Sequence, residues 1–345
     1  MKYTELDRNG IQEKYPFQNL PDNWEGVDMP DNNGSINLPL LLRTLYRLCR
    51  KHGVELFEYA TVKCIEADPS KTANWVVKGE LRSKDGASSL ARDFAYKGNK
   101  IAITSGAYVN HVLYPSFGFT LNVSIWEMVS YNHVCMLISG SLARLQVSQY
   151  YAIDPSVHFD KMWFHFAGPT EQGESNLFYG FPSLPWGPPN LCRIAVDAAT
   201  NIINDPDERQ YSVISPADLK NTSEWIRKHV LGVGPHPLPV FAGTCLQTNV
   251  SDNMFVLDFV PERYIDSDAA KKSIVVFTAG WGMKFVPLLG RVLKELLLDG
   301  TTQYDVSHFT MDRKPEGKPI IRDGPVEKTR GSGVVAGSSL HRMGH

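Results

Sequence analysis

The stretch KSIVVFTAGWGMKFVPLLGRVLKELLLDG, residues 272–300, decides the fold class. It begins with a short run of apolar, β-branched residues, passes through a glycine turn and continues as a helical pattern. The apolar stripe of the predicted helix consists of Leu288, Leu289, Val292, Leu293, Leu296 and Leu297. A buried strand that hands over directly to an amphipathic helix is typical of an α/β sheet. We therefore expect a strand, a turn and a helix in this order.

The same order recurs closer to the start of the chain. Residues 99–113, NKIAITSGAYVNHVL, combine a short apolar strand, a Ser-Gly turn and the start of a helix. Glycine turns at the ends of buried strands are places where α/β sheets bind ligands, because free backbone N–H groups and the helix dipole favour anions there. Gly106, Gly280 and Gly282 mark the two turns. A tight turn would also need these glycines without any ligand.

A second helix is predicted for residues 36–52, INLPLLLRTLYRLCRKH. Its apolar stripe consists of Leu38, Leu41, Leu42, Leu45 and Leu48, and Gly53 follows as a C-cap signal. Residues 115–260 differ, since short aromatic-rich runs such as SNLFYGFP are punctuated by Pro and Gly. That pattern indicates a largely antiparallel sheet. The sequence thus predicts an α/β lobe interrupted by a β-rich lobe.

Composition limits the possible functions. The chain has 35 Lys and Arg against 37 Asp and Glu, so no basic footprint for nucleic acid or a membrane surface exists. The beginning, MKYTELDRNG, has no apolar signal-peptide core, and no window approaches the ~18 apolar residues of a membrane span. We expect an intracellular, cytoplasmic protein that acts on small molecules or binds proteins. The C-terminus carries no SKL-type peroxisomal signal.

Spacing patterns for metals, disulfides and hydrolases are missing from the sequence. The five cysteines show no CxxC spacing and the ten histidines no HExxH pattern, so we predict neither a metal site nor a disulfide framework. No GxSxG elbow supports Ser-His-Asp chemistry. On residue chemistry alone, an isolated thiol such as that of Cys245 is most simply a buried structural group.

Five segments in this order resemble the family of monomeric sarcosine oxidase and fructosyl amino acid oxidase. They are NGSINLPLLLRTLYRLCRKHGVELFEYATVKCIE, KIAITSGAYVNHVL, FYGFPS, GTCLQTNVSDNMFVLD and IVVFTAGWGMKFVPLLGRVLKELLLDG. Members of this family are FAD-dependent amine oxidases of the D-amino acid oxidase superfold, and the similarity spans Tyr3 to Arg313. The resemblance implies an α/β (α+β) fold with a Rossmann-like FAD/NAD(P)-binding lobe and a β-rich antiparallel-sheet substrate lobe. The chain holds no GxGxxG, so we expect the first lobe to be incomplete at its N-terminus.

The resemblance also sets the expected domain boundaries. Residues 34–114 and 241–312 are assigned to the FAD-binding lobe, and residues 1–33 and 115–240 to the substrate lobe. Residues 313–345 are rich in Gly, Pro, Ser and charge and are expected to form a disordered tail outside the fold.

Site residues carry over from the family one position at a time. The cysteine of the Thr-Cys turn holds FAD covalently through a thioether in this family, which implies that role for Cys245. Lys284 matches the lysine that binds the substrate carboxylate, although an ordinary solvent-facing lysine is the alternative. Tyr179 matches an aromatic wall of the substrate pocket, with a plain sheet-core role as its alternative. Arg193 stands where the family has the lysine that activates O2.

The glycine turn before Lys284 is expected to lie against the flavin ring. Gly280 and Gly282 would let the backbone approach the ring, and Trp281 stands where the family often has a histidine. Gln247 replaces an aromatic residue after the cysteine, which indicates a substrate other than sarcosine.

The implied reaction is the oxidation of the C–N bond of a secondary or N-alkylated amino acid, sarcosine-like or fructosyl, to an imine. FAD accepts the hydride and O2 is reduced to hydrogen peroxide. The alternative is a flavin-free chain that serves as a small-molecule or protein binding module, which the absence of the GxGxxG turn favours.

Overall fold

The computed structural model describes residues 2–31, 34–82, 91–129, 150–159, 161–166, 177–187, 189–196, 199–209, 216–235, 237, 239, 244–265, 270–280 and 282–326. The helices are α1 (Arg8–Lys14), α2 (Leu38–Lys51), α3 (Val109–Phe117), α4 (Pro216–His229) and α5 (Val286–Asp299). The strands of the first half are β1 (Thr4–Asp7), β2 (Glu25–Asp28), β3 (Ala60–Ala67), β4 (Trp75–Leu81), β5 (Arg92–Gly98), β6 (Ile101–Ile103), β7 (Phe119–Leu121) and β8 (Ser124–Val129). Those of the second half are β9 (Tyr150–Ala152), β10 (Trp163–Phe166), β11 (Leu177–Phe181), β12 (Leu191–Val196), β13 (Ala199–Ile203), β14 (Thr244–Asn249), β15 (Val256–Phe259), β16 (Ile274–Thr278) and β17 (Ile321–Asp323).

The predicted strand-turn-helix unit of residues 272–300 is confirmed as β16 followed by α5. β16 pairs with β6 in parallel and with β15 in antiparallel fashion, so the sheet has the order β15-β16-β6. One face of β16 is covered by Leu289, Val292 and Leu296 of α5, which are all at most 7% exposed. This packing fixes the position of the turn between strand and helix.

The predicted helix of residues 36–52 is also confirmed, as α2. Asn37 caps it, since its side chain accepts a hydrogen bond from the Leu40 N–H at 3.1 Å. Its leucine stripe, however, is not covered by the described residues. Leu38, Leu42, Leu45 and Leu48 are 37–57% exposed, and α2 has no fully buried residue.

The β-rich part contains antiparallel sheets, as the sequence predicts. β8 lies between β13 and β14, and a four-stranded sheet has the order β10-β11-β12-β9. Helix α4 packs on one face of the four-stranded sheet, where the Trp225 and Phe178 rings stack with centroids 4.5 Å apart. A further antiparallel sheet, β3-β4-β5, follows α2. The structure therefore has the mixed α/β architecture expected from the sequence.

The expected tail outside the fold is wrong for its first part. β17 pairs with β7 in antiparallel fashion, and Ile320, directly before it, is 1% exposed. Arg313 donates from Nε to Asp252 Oδ2 at 2.8 Å, in a half-buried ion pair. The buried isoleucine, the three-residue ladder and the Arg313–Asp252 ion pair hold this segment, although its composition is polar. Residues 327–345 lie outside the described residues.

No helix in the described part of the chain is long and apolar enough to cross a membrane.

Candidate functional site

The turn between β16 and α5 is the centre of the candidate site. Ala279 and Gly280 both have left-handed backbone conformations, with φ of 62° and 68°. A Cβ on Gly280 would lie 2.5 Å from Phe255 Cδ1, and one on Gly282 would lie 2.8 Å from Phe277 Cζ. Packing against these two rings therefore requires both glycines, whether or not a ligand approaches the turn.

Strand β14 holds this turn and carries the predicted cysteine. The Gly280 N–H donates to the Thr248 carbonyl at 3.1 Å, and Gln247 Nε2 donates to the Gly280 carbonyl at 2.9 Å. Side chains alternate along a strand, so Cys245 and Gln247 lie on the same face of β14, about 7 Å apart along the chain. The Cys245 residue is exposed. The alternative interpretation of Cys245 as a buried structural thiol is therefore wrong.

Lys284 lies directly after the turn, in a short 3₁₀ helix, Gly282–Phe285, that leads into α5. The residue is exposed, as expected for a cation that would meet a ligand or solvent. Two hydrogen bonds thus tie β14, the strand that contains Cys245, to Gly280, which precedes Lys284 by four residues. Trp281, which was predicted to lie against the flavin ring, is outside the described residues.

The predicted turn at Gly106 joins the same edge of the sheet. It begins a 3₁₀ helix, Gly106–Tyr108, between β6 and α3, with φ of 57° at Gly106. The Thr278 hydroxyl donates to the Gly106 carbonyl at 3.0 Å, which ties the end of β16 to the end of β6. Open space lies where a Gly106 Cβ would stand. The Ser105 hydroxyl is buried and has no hydrogen-bond partner among the described residues.

Tyr179 and Arg193 meet on a different sheet, the one that contains β11 and β12. Arg193 Nη2 donates to the Tyr179 hydroxyl at 3.0 Å, and its guanidinium lies 5.0 Å from the Tyr179 ring and 4.9 Å from the Phe181 ring. Both residues are half-buried. They lie on the face of the sheet opposite to Phe178, whose side chain is fully buried beneath α4. Tyr179 is half-buried and contacts the Arg193 guanidinium. The alternative interpretation of Tyr179 as a plain core residue of the sheet therefore does not fit.

Behind this sheet, His165 is held under α4. Its ring is edge-on to Trp24 and Trp225, and neither ring nitrogen has a hydrogen-bond partner in the described part of the chain. Burial, together with the smaller effect of the nearby His229, lowers the pKa of His165 to about 4. An uncharged imidazole is therefore part of the packing here.

The structure contains one group of polar side chains near α3 that the sequence spacing did not predict. His111 Nε2 lies 3.1 Å from Asp205 Oδ1, and Asp207 brings a third ligand-type atom, with all three within 4.8 Å of one another. The hydrogen bond that His111 donates explains why the Asp205 carboxylate lies close to its ring. The expectation of no metal site stays a prediction.

A family model described as DAO, FAD dependent oxidoreductase, matches residues 2–296, and the chain belongs to this family. A Dictyostelium discoideum protein with the provisional name bifunctional amine oxidase is 40% identical over 97% of the chain. A monomeric sarcosine oxidase of a Bacillus species, strain NS-129, is 23% identical over 90% of the chain. The solved structure of NikD, an unusual amino acid oxidase essential for nikkomycin biosynthesis, matches 90% of the chain with a TM-score of 0.69 and 28% identity.

The relatives are longer than this chain. It spans 28% of the Dictyostelium protein, 70% of the sarcosine oxidase and 68% of NikD.

Proposed function

We propose that the chain forms the flavin-ring and substrate part of an FAD-dependent amine oxidase. Its reaction is the oxidation of a secondary or N-alkylated amino acid, in which the C–N bond becomes an imine and O2 takes up two electrons and two protons as hydrogen peroxide. The observation that carries the proposal is the convergence of the Cys245 strand, the Lys284 turn and Gly106 at one edge of the sheet, in a chain of this family.

The residues present suit one end of FAD. Bound FAD would supply the hydride acceptor of the reaction. The open space at Gly106 and the Ser105 hydroxyl, which has no hydrogen-bond partner within the described part of the chain, are features of a ligand-facing edge. The exposed Cys245 is accessible for a thioether bond. The pyrophosphate end has no glycine turn of the GxGxxG type in this chain. Cys245, Gly106 and the turn around Gly280 and Gly282 are therefore the residues that would hold the flavin ring.

The protein groups then have separate tasks. The Lys284 ammonium binds the substrate carboxylate and thereby orients the C–N bond. Tyr179 forms an aromatic wall, and its hydroxyl is oriented by the hydrogen bond from Arg193. Arg193 keeps a positive charge where oxygen is reduced, and a guanidinium stays protonated, so it stabilises charge but transfers no proton.

The first test is the visible absorption spectrum of the purified chain after incubation with FAD, followed by denaturing electrophoresis and in-gel fluorescence. The proposal expects a yellow protein whose fluorescence stays with the band, and Cys245→Ala should lose the fluorescent band. Cys64→Ala, another isolated thiol, is the matched control and should keep it. Peroxide release with N-methyl amino acids then tests the reaction.

A colourless protein after incubation with FAD would contradict the proposal. It would favour the second candidate, a flavin-free module that binds small molecules or proteins. The exposed leucine stripe of α2 is the observation that supports a protein-binding role for such a module.

A further inference from the structure

The Gln247 side chain links strand β14, which contains Cys245, to the turn that precedes Lys284. Its Nε2 atom lies 2.9 Å from the Gly280 carbonyl and 3.5 Å from the carbonyl of the neighbouring Thr248. The Gly280 N–H donates to that same Thr248 carbonyl at 3.1 Å. The peptide groups on both sides of Gly280 are thus tied to β14, one by a backbone bond and one by the carboxamide.

The turn needs such a restraint because its backbone conformation is costly. Ala279 is a left-handed residue that carries a side chain, and Gly280 follows it in the same region of conformational space. A residue such as alanine adopts this conformation only when the surrounding structure imposes it. The Gln247 carboxamide is half-buried, where a hydrogen bond is less exposed to competition from water.

The position of Lys284 depends on this turn. Lys284 is four residues beyond Gly280, in the 3₁₀ helix that starts at Gly282. Cys245 is two residues before Gln247 on the same face of β14. A change in the distance between the turn and β14 would therefore change the position of the ammonium relative to the thiol.

We propose that Gln247 is a positioning residue, whose carboxamide holds the Ala279–Gly280 turn against β14 and so sets the position of Lys284 relative to Cys245. The consequence for substrate carboxylates rests on the proposed function, whereas the restraint on the turn does not. A phenylalanine at this position would have no hydrogen-bond donor, so the restraint depends on the Gln247 carboxamide and not on the size of the side chain.

The restraint is tested by hydrogen exchange on the chain without added flavin. Gln247→Met keeps the length of the side chain and removes the donor, and Gln303→Met, at an exposed position, is the matched control. Loss of one hydrogen bond predicts about fivefold faster exchange in peptides that cover residues 278–286. Peptides from β3, β4 and β5 should be unchanged, and the thermal midpoint should lie no more than about 2 °C below that of the control. Unchanged exchange around Gly280 would overturn the proposal.

The positioning role is tested on flavin-loaded protein with a pair of substrates. Gln247→Met should lower kcat/KM about tenfold for an N-methyl amino acid, mainly through KM, and by no more than about threefold for the matched N-methyl amine without a carboxylate, which depends on the turn only through the flavin. Equal losses for both substrates would overturn the role in carboxylate positioning. If the parent chain binds no flavin, the proposed function fails, and the exchange result still decides whether Gln247 restrains the turn.

Discussion

Helices α5 and α2 each have fourteen residues and a leucine stripe, but they differ in what covers that stripe. In α5, Leu289, Val292 and Leu296 are buried against the sheet that contains β15 and β16. In α2, leucines at the corresponding periodic positions remain 37–57% exposed. Periodicity therefore predicts that a helix forms and which face is apolar, but it does not say which part of the molecule covers that face.

The exposed stripe of α2 is a surface that a further segment or molecule could cover. A parallel sheet is usually covered on both faces and extended on both sides of its central strands. Here β6 forms the end of its sheet among the described residues, and α2 lies outside every described apolar cluster.

The sharpest test of the comparison places a charge in each stripe. Val292→Asp buries a carboxylate without a partner and should lower the free energy of unfolding by about 3–5 kcal/mol. Leu45→Asp in α2 should change it by less than about 0.5 kcal/mol. Urea unfolding followed by circular dichroism measures both. If Val292→Asp does not fold, Leu296→Ala takes its place, and its free energy of unfolding should be about 2–5 kcal/mol lower than that of the parent chain. Equal losses in the two helices would mean that α2 is packed in solution.

A third helix, α4, covers a buried face of the four-stranded sheet, and this face includes His165 of β10. His165 is neutral in the folded protein because its pKa is lowered to about 4, while an unfolded histidine titrates near 6.5. The unfolded state therefore binds more protons between these values, and the free energy of unfolding should fall by about 3 kcal/mol as pH drops from 6.5 to 4. Stability curves at several pH values measure this.

The matched variants for this effect are His165→Leu and His52→Leu. His165→Leu should reduce the loss of stability between pH 6.5 and 4, whereas His52→Leu, at an exposed position, should leave it as it is. The same pH dependence in His165→Leu as in the parent would assign the effect to other groups.

A smaller effect is expected from the glycine inside α5. Gly290 is exposed, and open space lies where its Cβ would stand, so Gly290→Ala should raise the free energy of unfolding by about 0.5–1 kcal/mol. The measurement is the midpoint of urea unfolding. Gly280→Ala is the contrasting variant, because its methyl group would overlap Phe255, and it should destabilise. A gain of stability in Gly280→Ala would contradict the packing explanation for that glycine.

Polar substitutions on α2 should act on association of the chain with itself more than on its stability. Leu42→Ser with Leu45→Ser should alter the free energy of unfolding by less than about 1 kcal/mol, since both side chains are already exposed. The pair should reduce self-association, because the apolar face becomes smaller. Sedimentation velocity at several concentrations distinguishes the two chains. An unchanged association would show that the stripe of α2 takes no part in it.

Local patterns predicted the strand and helix of residues 272–300 because the information for both lies within one segment. The exposure of Leu45 could not be predicted, since burial depends on a partner that is distant in sequence or outside the chain. β17 was missed because three residues provide too short a pattern for a strand. Its pairing depends on β7, which lies far away in the sequence.

The strand-turn-helix pattern predicts the glycine turns of the candidate site, whereas its other residues were assigned from the family resemblance. Tyr179 and Arg193 came from separate segments, and their hydrogen bond follows from the pairing of β11 with β12. The sequence related Gln247 to a substrate other than sarcosine but not to the turn, because its contact with Gly280 joins residues more than thirty positions apart. A side chain that bonds to a backbone carbonyl has no sequence signature, since any residue could provide that carbonyl.

The parallel pairing of β6 with β16 joins strands that the ribosome makes far apart in time. Ile101 pairs with Ile274, so at about 5–20 residues per second the first strand waits about 10–35 s for its partner. During that interval the apolar strand is available to chaperones and to wrong partners. Faster translation between the two codons should shorten the exposure and raise the yield of folded protein, while rare codons in the intervening lobe should lower it.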